Sequence, residues 1–180
     1  MPRLALKPTL TPILMPVLRT GLKPSSDFDF FMGIWKCRHR YRVQRLADCH
    51  DWIEFDGTCA ARKILGGFCN ADESDIGLPG SPYRGMSLRM WDPERRVWSI
   101  YWLDSRRPGH LTPPVRGSFV ETRGGKLGTF LGDDEFGGRA IRVRYLWSRI
   151  VADSARWEQA FSLDGGTSWE TNWIMDFARV

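Results

Sequence analysis

Three polar side chains in segments of alternating apolar residues are the candidates for chemistry: His39, Asp104 and Tyr145. A histidine changes its charge near neutral pH, so it can act as a general acid or base while a carboxylate or phenol orients its ring. Inside a cavity, such a group predicts an enzyme that isomerises, cyclises or hydrolyses a small substrate. The chain lacks a Gly-x-Ser-x-Gly nucleophile motif, so a hydrogen-bonded core histidine is the favoured alternative.

A larger set of residues would bind a small molecule without transforming it. Aromatic rings stack on apolar ligands, methionines adapt to their shape, and a few polar groups orient them. We therefore predict a carrier or sensor of a small hydrophobic or aromatic molecule, with the His39 enzyme as the alternative. The predicted ligand-binding residues are Tyr41, Phe55, Asn70, Met86, Leu88, Trp102, Trp157, Gln159, Thr171 and Trp173.

Metal and cofactor ligands are not indicated. The four cysteines lie ten to twelve residues apart, without a Cys-x-x-Cys or a paired histidine, and that spacing does not suit zinc. Asp133, Asp134 and Glu135 lack the alternating oxygen ligands of a calcium loop, so we expect them as solvated acids at a hairpin tip. The sequence predicts no metal, no cofactor, and reduced thiols in a cytoplasmic protein.

The basic charge belongs mainly to the first 26 residues. The chain has a net charge of +5, and residues 1–26 contain four basic residues and no acid. Without these four, 22 basic residues face 21 acidic ones, which argues against nucleic-acid binding by the remainder. Prolines at 2, 8, 12, 16 and 24 oppose a helix. We predict a disordered tail over 1–26, one domain over 27–180, and no membrane span.

The elements that must hold these residues are strands. Period-two alternation, broken by glycine-rich and Asp-Pro turns, predicts successive antiparallel strands, and one short helical turn is expected near 27–33. We predict a single all-β antiparallel barrel of eight to ten strands, closed so that no edge is exposed. The predicted strands are 34–44, 52–63, 67–75, 83–91, 97–104, 115–122, 126–132, 139–149, 155–163 and 168–179.

Alternation also predicts which face of each strand points inward. Lys36 to Arg42 place four like charges on one face of the first strand, so Trp35, Cys37, His39 and Tyr41 face the interior. The same rule places Met86, Leu88 and Met90 inside on 83–91, and Thr171 and Trp173 inside on the last strand. Arg179 should then lie on Trp35 as a cation–π plug at one barrel end. The inward faces of 67–75 and 97–104 stay undecided.

Several motifs carry a family resemblance. They are Phe28-Asp29-Phe30 followed by Gly33-x-Trp35, Glu54-Phe55-Asp56-Gly57, Tyr101-Trp102-Leu103-Asp104-Ser105-Arg106, Trp157-Glu158-Gln159-x-Phe161-Ser162 and Asp164-Gly165-Gly166-x-x-Trp169-Glu170-x-Asn172-Trp173. Gly-x-Trp on the first strand with an arginine on the last resembles the calycin signature. Residues 28–179 resemble an uncharacterised, Trp-rich bacterial family of lipocalin-like domains. The resemblance implies the barrel and no settled activity.

Two further options come from related barrels. Nitrobindin-like barrels bind haem through a histidine late in the chain, whereas His110 is the last histidine here, so we expect haem binding less than the other functions. A homodimer is left open by the sequence.

Overall fold

The computed structural model describes residues 21–180, so residues 1–20 of the predicted tail lie outside the described part. A short 3₁₀ helix, Asp29–Phe31, precedes ten antiparallel strands, and a second 3₁₀ turn, Leu65–Gly67, follows the second strand. The strands are β1 (Gly33–Arg42), β2 (Trp52–Ile64), β3 (Cys69–Ile76), β4 (Tyr83–Asp92), β5 (Val97–Asp104), β6 (Val115–Thr122), β7 (Gly125–Phe136), β8 (Arg139–Ser148), β9 (Ser154–Ser162) and β10 (Glu170–Arg179).

The strands close into a barrel in simple up-and-down order. Each strand pairs with its neighbours in sequence, and β1 also pairs with β10, where Trp35 lies opposite Arg179. Closure gives every strand two partners and leaves no edge for aggregation. The predicted all-β antiparallel barrel with little helix is confirmed. Within residues 21–180, no helix has the length and apolar character that crossing a membrane requires.

Opposite charges on neighbouring strands line the outside of β1 and β2. Arg38 lies on the outer face of β1 and donates to Glu54 at 2.9 Å and to Asp56 at 3.1 Å, both on β2. These pairs are exposed, so they add little stability but help to fix the register. The opposite face of β1 carries buried Trp35 and His39 into the interior.

The 3₁₀ helix plugs one end of the barrel. Its Phe31 stacks on Trp35 at 5.6 Å between ring centroids and meets Trp147 edge-on at 4.7 Å. Arg179 lies over Trp35 at 4.1 Å and donates to the carbonyls of Phe30, Met32 and Ala152, so each of its three guanidinium nitrogens makes a hydrogen bond. This end is therefore filled, and we call it the closed end.

The inward orientation predicted for Met86, Leu88 and Met90 on β4 is wrong. Ser87 and Arg89 face the interior instead, opposite Asp72 and Asn70 of β3. The prediction failed because it placed apolar side chains inside, whereas a buried ion pair occupies this part of the wall. The same register settles β3, whose Asn70 and Asp72 face inward.

A β-bulge in β10 reverses the predicted orientation of Thr171. Thr171 pairs with Ala160 and Trp173 pairs with Gln159, so Asn172 is the extra residue between them. Asn172 is fully buried and accepts a 2.8 Å hydrogen bond from Gln159, whereas sequence alternation placed it outside. Thr171 shares the outer face with Ala160.

The acids expected at a hairpin tip belong to a strand. β7 continues through Asp133, Asp134 and Glu135 to Phe136, and the turn is made by Gly137 and Gly138 alone. Both glycines have positive φ, which a two-residue hairpin turn requires. Asp134 is thereby carried on a strand that borders the open end of the barrel.

Candidate functional site

Two adjoining cavities lie inside the barrel. The inner cavity has a volume of about 50 Å³, and the mouth cavity, at the end opposite the 3₁₀ helix, about 330 Å³. Fifty cubic ångströms hold a few water molecules, whereas ligand pockets usually measure about 300–1,000 Å³. Of these two cavities, the mouth cavity is the one with the size of a ligand site. Four side chains border both cavities: Trp102, Tyr145, Gln159 and Trp173.

The inner cavity has one strongly polar wall. Arg89 forms an ion pair with Asp72 at 2.5 Å and donates a hydrogen bond to Asn70 at 3.0 Å, and both charged side chains are almost fully buried. The guanidinium also lies about 5 Å from the rings of Phe28 and Phe31. Its charge is therefore compensated within the protein, and this wall needs no anionic ligand.

The floor of the mouth cavity is aromatic. Trp173 meets Trp102 edge-on at 6.0 Å and Trp157 at 5.5 Å between ring centroids. Tyr145 packs against Trp157 at 4.8 Å, and burial raises the pKa of its hydroxyl, so the phenol is neutral. Gly85 leaves room for the Trp102 ring, since a Cβ at that position would collide with it. The floor thus offers flat faces to an apolar ligand.

Arg45 lies in the loop between β1 and β2 and borders the mouth cavity. Its guanidinium lies over Tyr41 at 4.1 Å, Phe161 at 5.6 Å and Phe136 at 5.9 Å. The Nε atom is buried and has no hydrogen-bond partner among residues 21–180. Burial lowers the pKa of the Arg45 guanidinium, and nearby Arg106 adds like-charge repulsion.

The loop that carries Arg45 is anchored to two other strands. The backbone N–H of Leu46 donates to Glu170 of β10 at 2.9 Å, and Arg139 of β8 donates to the Leu46 carbonyl at 3.3 Å. Arg42 holds the far side of the loop by donating to the carbonyl of Cys49. These contacts fix the backbone next to Arg45 above the cavity.

A second arginine at the mouth is already paired. Arg106 donates to Asp104 at 2.7 Å and 3.1 Å, and it lies over the Tyr83 ring at 3.6 Å. Trp102 also donates to Asp104 at 3.2 Å. Burial opposes ionisation of Asp104, but the hydrogen bonds from Arg106 and Trp102 outweigh it and hold its pKa below the ordinary value. Asp104 is therefore an ionised partner of Arg106.

His39 lies behind the floor of the mouth cavity. Its Nδ1 accepts a 3.1 Å hydrogen bond from the Trp173 indole, and its ring stacks on Phe55 at 4.7 Å. Burial lowers its pKa to about 4, so the ring is neutral at physiological pH with its proton on Nε2. Nε2 is buried without a partner beside Gly57, where a Cβ would lie only 2.7 Å away.

The structure separates the predicted catalytic residues. Asp104 and Tyr145 border the mouth cavity, but His39 borders neither cavity and hydrogen-bonds to neither of them among residues 21–180. Trp173 stands between His39 and the cavities. The pairing expected from the sequence is therefore wrong, because an inward-facing residue need not reach the open space.

The predicted ligand-binding residues divide into three groups. Five line a cavity: Tyr41, Trp102, Trp157, Gln159 and Trp173. Phe55 packs against His39, and Asn70 holds Arg89 in the wall. The other three, Met86, Leu88 and Thr171, lie on the outer face, so their predicted place in a binding cavity is wrong.

Sequence reasoning missed the arginines that dominate both cavities. Arg89 lies on the same face of β4 as Ser87 and Trp91. The signal that could have indicated a buried ion pair there is Asp72 on the preceding strand. Arg45 lies in a loop, where alternation makes no prediction of direction. Its place above the cavity depends on the anchoring of Leu46.

Comparisons with known proteins support the fold alone. No family model matches the chain, and no curated protein is significantly similar to it. Among solved structures, the crystal structure of Rv2717c from M. tuberculosis is similar, with a TM-score of 0.57 and 11% sequence identity. The alignment covers 88% of this chain and 99% of that one. The lipocalin-like family assignment stays a prediction.

Proposed function

We propose that the protein binds a small hydrophobic or aromatic molecule in the mouth cavity, as a carrier or sensor. The observation that carries this proposal is an opening of about 330 Å³ over an aromatic floor, contiguous with the smaller inner cavity. An aromatic ligand on this floor would be sandwiched or met edge-on by tryptophan rings, which favours flat molecules. The rim is polar, so the polar end of a ligand would face the loops.

The alternative function, an enzyme that uses His39 as its acid or base, is not supported by the position of His39. His39 is neutral, is hydrogen-bonded through Nδ1, and lies behind Trp173. A general base must reach the proton it removes, directly or through one water. Binding without chemistry is therefore the function that the geometry favours.

Haem binding has less support than a small ligand. His39 turns neither ring nitrogen toward a cavity, and His110, which borders the mouth cavity, lies exposed in the loop between β5 and β6. An axial ligand on an exposed loop, without a second group to orient its ring, would be poorly positioned.

Binding is tested with N-phenyl-1-naphthylamine, a neutral aromatic fluorophore. We expect saturable binding to the purified full-length protein, and Trp102→Ala should weaken it about tenfold because the floor loses a ring face. Trp52→Ala is the matched control, since Trp52 lies outside both cavities under Arg42 and should change the affinity less than about twofold. Absence of saturable binding, or equal losses in both variants, would refute the proposal.

A further inference from the structure

Arg45 differs from three other arginines that touch the barrel interior, and from Arg107, which also borders the mouth cavity but is exposed to solvent. Arg89 is paired with Asp72, Arg106 with Asp104, and Arg179 with three backbone carbonyls. Arg45 has no acidic group within 4.0 Å among the described residues. Its Nε is buried and donates no hydrogen bond within residues 21–180. The Nε of Arg89 is also without a partner there, but Arg89 has the carboxylate of Asp72 beside it, which Arg45 lacks.

The acids near the cavity leave the Arg45 charge uncompensated. Asp104 is occupied by Arg106, and Glu135 is exposed at the rim. Asp134 borders the same cavity but forms no ion pair with Arg45, although Tyr145 lies close enough to feel both charges. A desolvated cation without a counter-ion is costly, and natural proteins keep such groups mainly at functional sites.

The surroundings of Arg45 leave its hydrogen-bonding edge for a ligand. Tyr41, Phe136 and Phe161 contact the guanidinium as ring neighbours, and aromatic faces do not satisfy its N–H donors. The loop is anchored through Leu46, so the side chain is held above the cavity before any ligand arrives. Pre-organisation of this kind lowers the cost of binding.

We propose that the ligand of the mouth cavity is an aromatic or apolar carboxylic acid, whose carboxylate binds Arg45 while its body lies on the Trp102 and Trp173 floor. This inference rests on the proposed binding function and names the ligand class. A planar guanidinium matches a carboxylate with two parallel hydrogen bonds. A monoanion suits a cavity in which the neighbouring arginine, Arg106, is already neutralised by Asp104.

The test compares naphthalene-1-acetate with naphthalene-1-acetamide, which share one aromatic body and differ in charge. Isothermal titration of the full-length protein at pH 7.5 should show the acid binding at least about tenfold more tightly than the amide, as expected for a charge-assisted hydrogen bond. Arg45→Met should abolish this preference while retaining amide binding. Arg45→Lys keeps the positive charge but cannot form two parallel hydrogen bonds to a carboxylate, so it should retain part of the preference for the acid.

Arg116→Met is the matched control, because Arg116 lies exposed on the outside of β6. It should leave the acid-to-amide preference unchanged. Thermal melts should show Arg45→Met folded and no less stable than the wild type, since the variant removes an unpaired buried charge.

The outcomes separate the two proposals. Equal affinity of the wild type for acid and amide, or an undiminished preference in Arg45→Met, overturns the carboxylate assignment and leaves ligand binding intact. Failure of both probes and of the neutral fluorophore to bind overturns the binding function and this inference with it.

Discussion

The two ends of the barrel are built from the same residue types with opposite results. At the closed end, Phe31, Trp35 and Trp147 pack ring against ring, and Arg179 is satisfied by three carbonyls. At the mouth, Trp102 and Trp173 leave about 330 Å³ open. Arg45 lies above this space, and no group in the described part of the chain accepts a hydrogen bond from its buried Nε.

The difference shows where stability and function are placed. Close-packed rings contribute to the free energy of unfolding, and they leave no room for a ligand. An open aromatic floor beside an uncompensated cation contributes less to the free energy of unfolding, and it leaves space in which a ligand can bind. If this division holds, substitutions should affect unfolding at one end and binding at the other.

The largest expected effect is at the buried ion pair between the two ends. Asp72→Ala leaves Arg89 buried and unpaired, so we expect the free energy of unfolding to fall by about 3–5 kcal/mol. Urea denaturation followed by tryptophan fluorescence measures the loss. The double variant Asp72→Leu with Arg89→Met should recover most of it, because both charges are removed. A loss below about 1 kcal/mol in Asp72→Ala would mean that water already compensates Arg89.

A matched pair of phenylalanines tests the two ends directly. Phe31→Ala should lower the free energy of unfolding by about 3 kcal/mol, because it removes a fully buried ring from the closed end. Phe136→Ala, at the half-buried rim, should lower it by about 1 kcal/mol. Urea titrations of both variants give the comparison, and equal losses would contradict the division between a stable end and an open one.

The pH dependence of stability due to His39 is expected to be smaller than the effects at the ion pair and at Phe31. Folded His39 stays neutral down to about pH 4, whereas unfolded histidine takes up a proton below about pH 6.5. The unfolded state therefore binds more protons in this window, and the free energy of unfolding should fall by about 2 kcal/mol between pH 8 and pH 5. His39→Gln, which keeps an acceptor for the Trp173 indole, should flatten this slope in urea titrations.

His50→Gln is the control for that measurement, because the His50 side chain is 81% exposed. The slope should persist in this variant. A slope that also persists in His39→Gln would show that carboxylates, rather than His39, govern acid sensitivity over this range.

Much of the fold could be predicted from the sequence. Alternation located all ten strands to within a few residues, and the row of like charges from Lys36 to Arg42 oriented β1. These features are local, because side chains alternate every two residues and four like charges cannot share a barrel interior. Alternation also placed Trp173 inside, whereas it left the inward face of 97–104 undecided, so the place of Trp102 beside both cavities comes from the structure.

Two parts of the site depended on contacts between distant residues. The ion pair with Asp72 places Arg89 on the inner face of β4. Met86 and Leu88, which alternate with Arg89, therefore lie on the outer face. The bulge at Asn172 inserts one extra residue into β10, so Thr171 no longer lies on the same face as Trp173. No pattern within one strand contains either event.

The sequence by itself determined that this chain forms a closed antiparallel barrel with aromatic rings inside. Only the tertiary structure decided that those rings fill one end, leave space at the other, and place Arg45 over that space. The physical reason is that alternation fixes the face of a strand, whereas cavity volume and charge compensation depend on which side chains meet across the barrel.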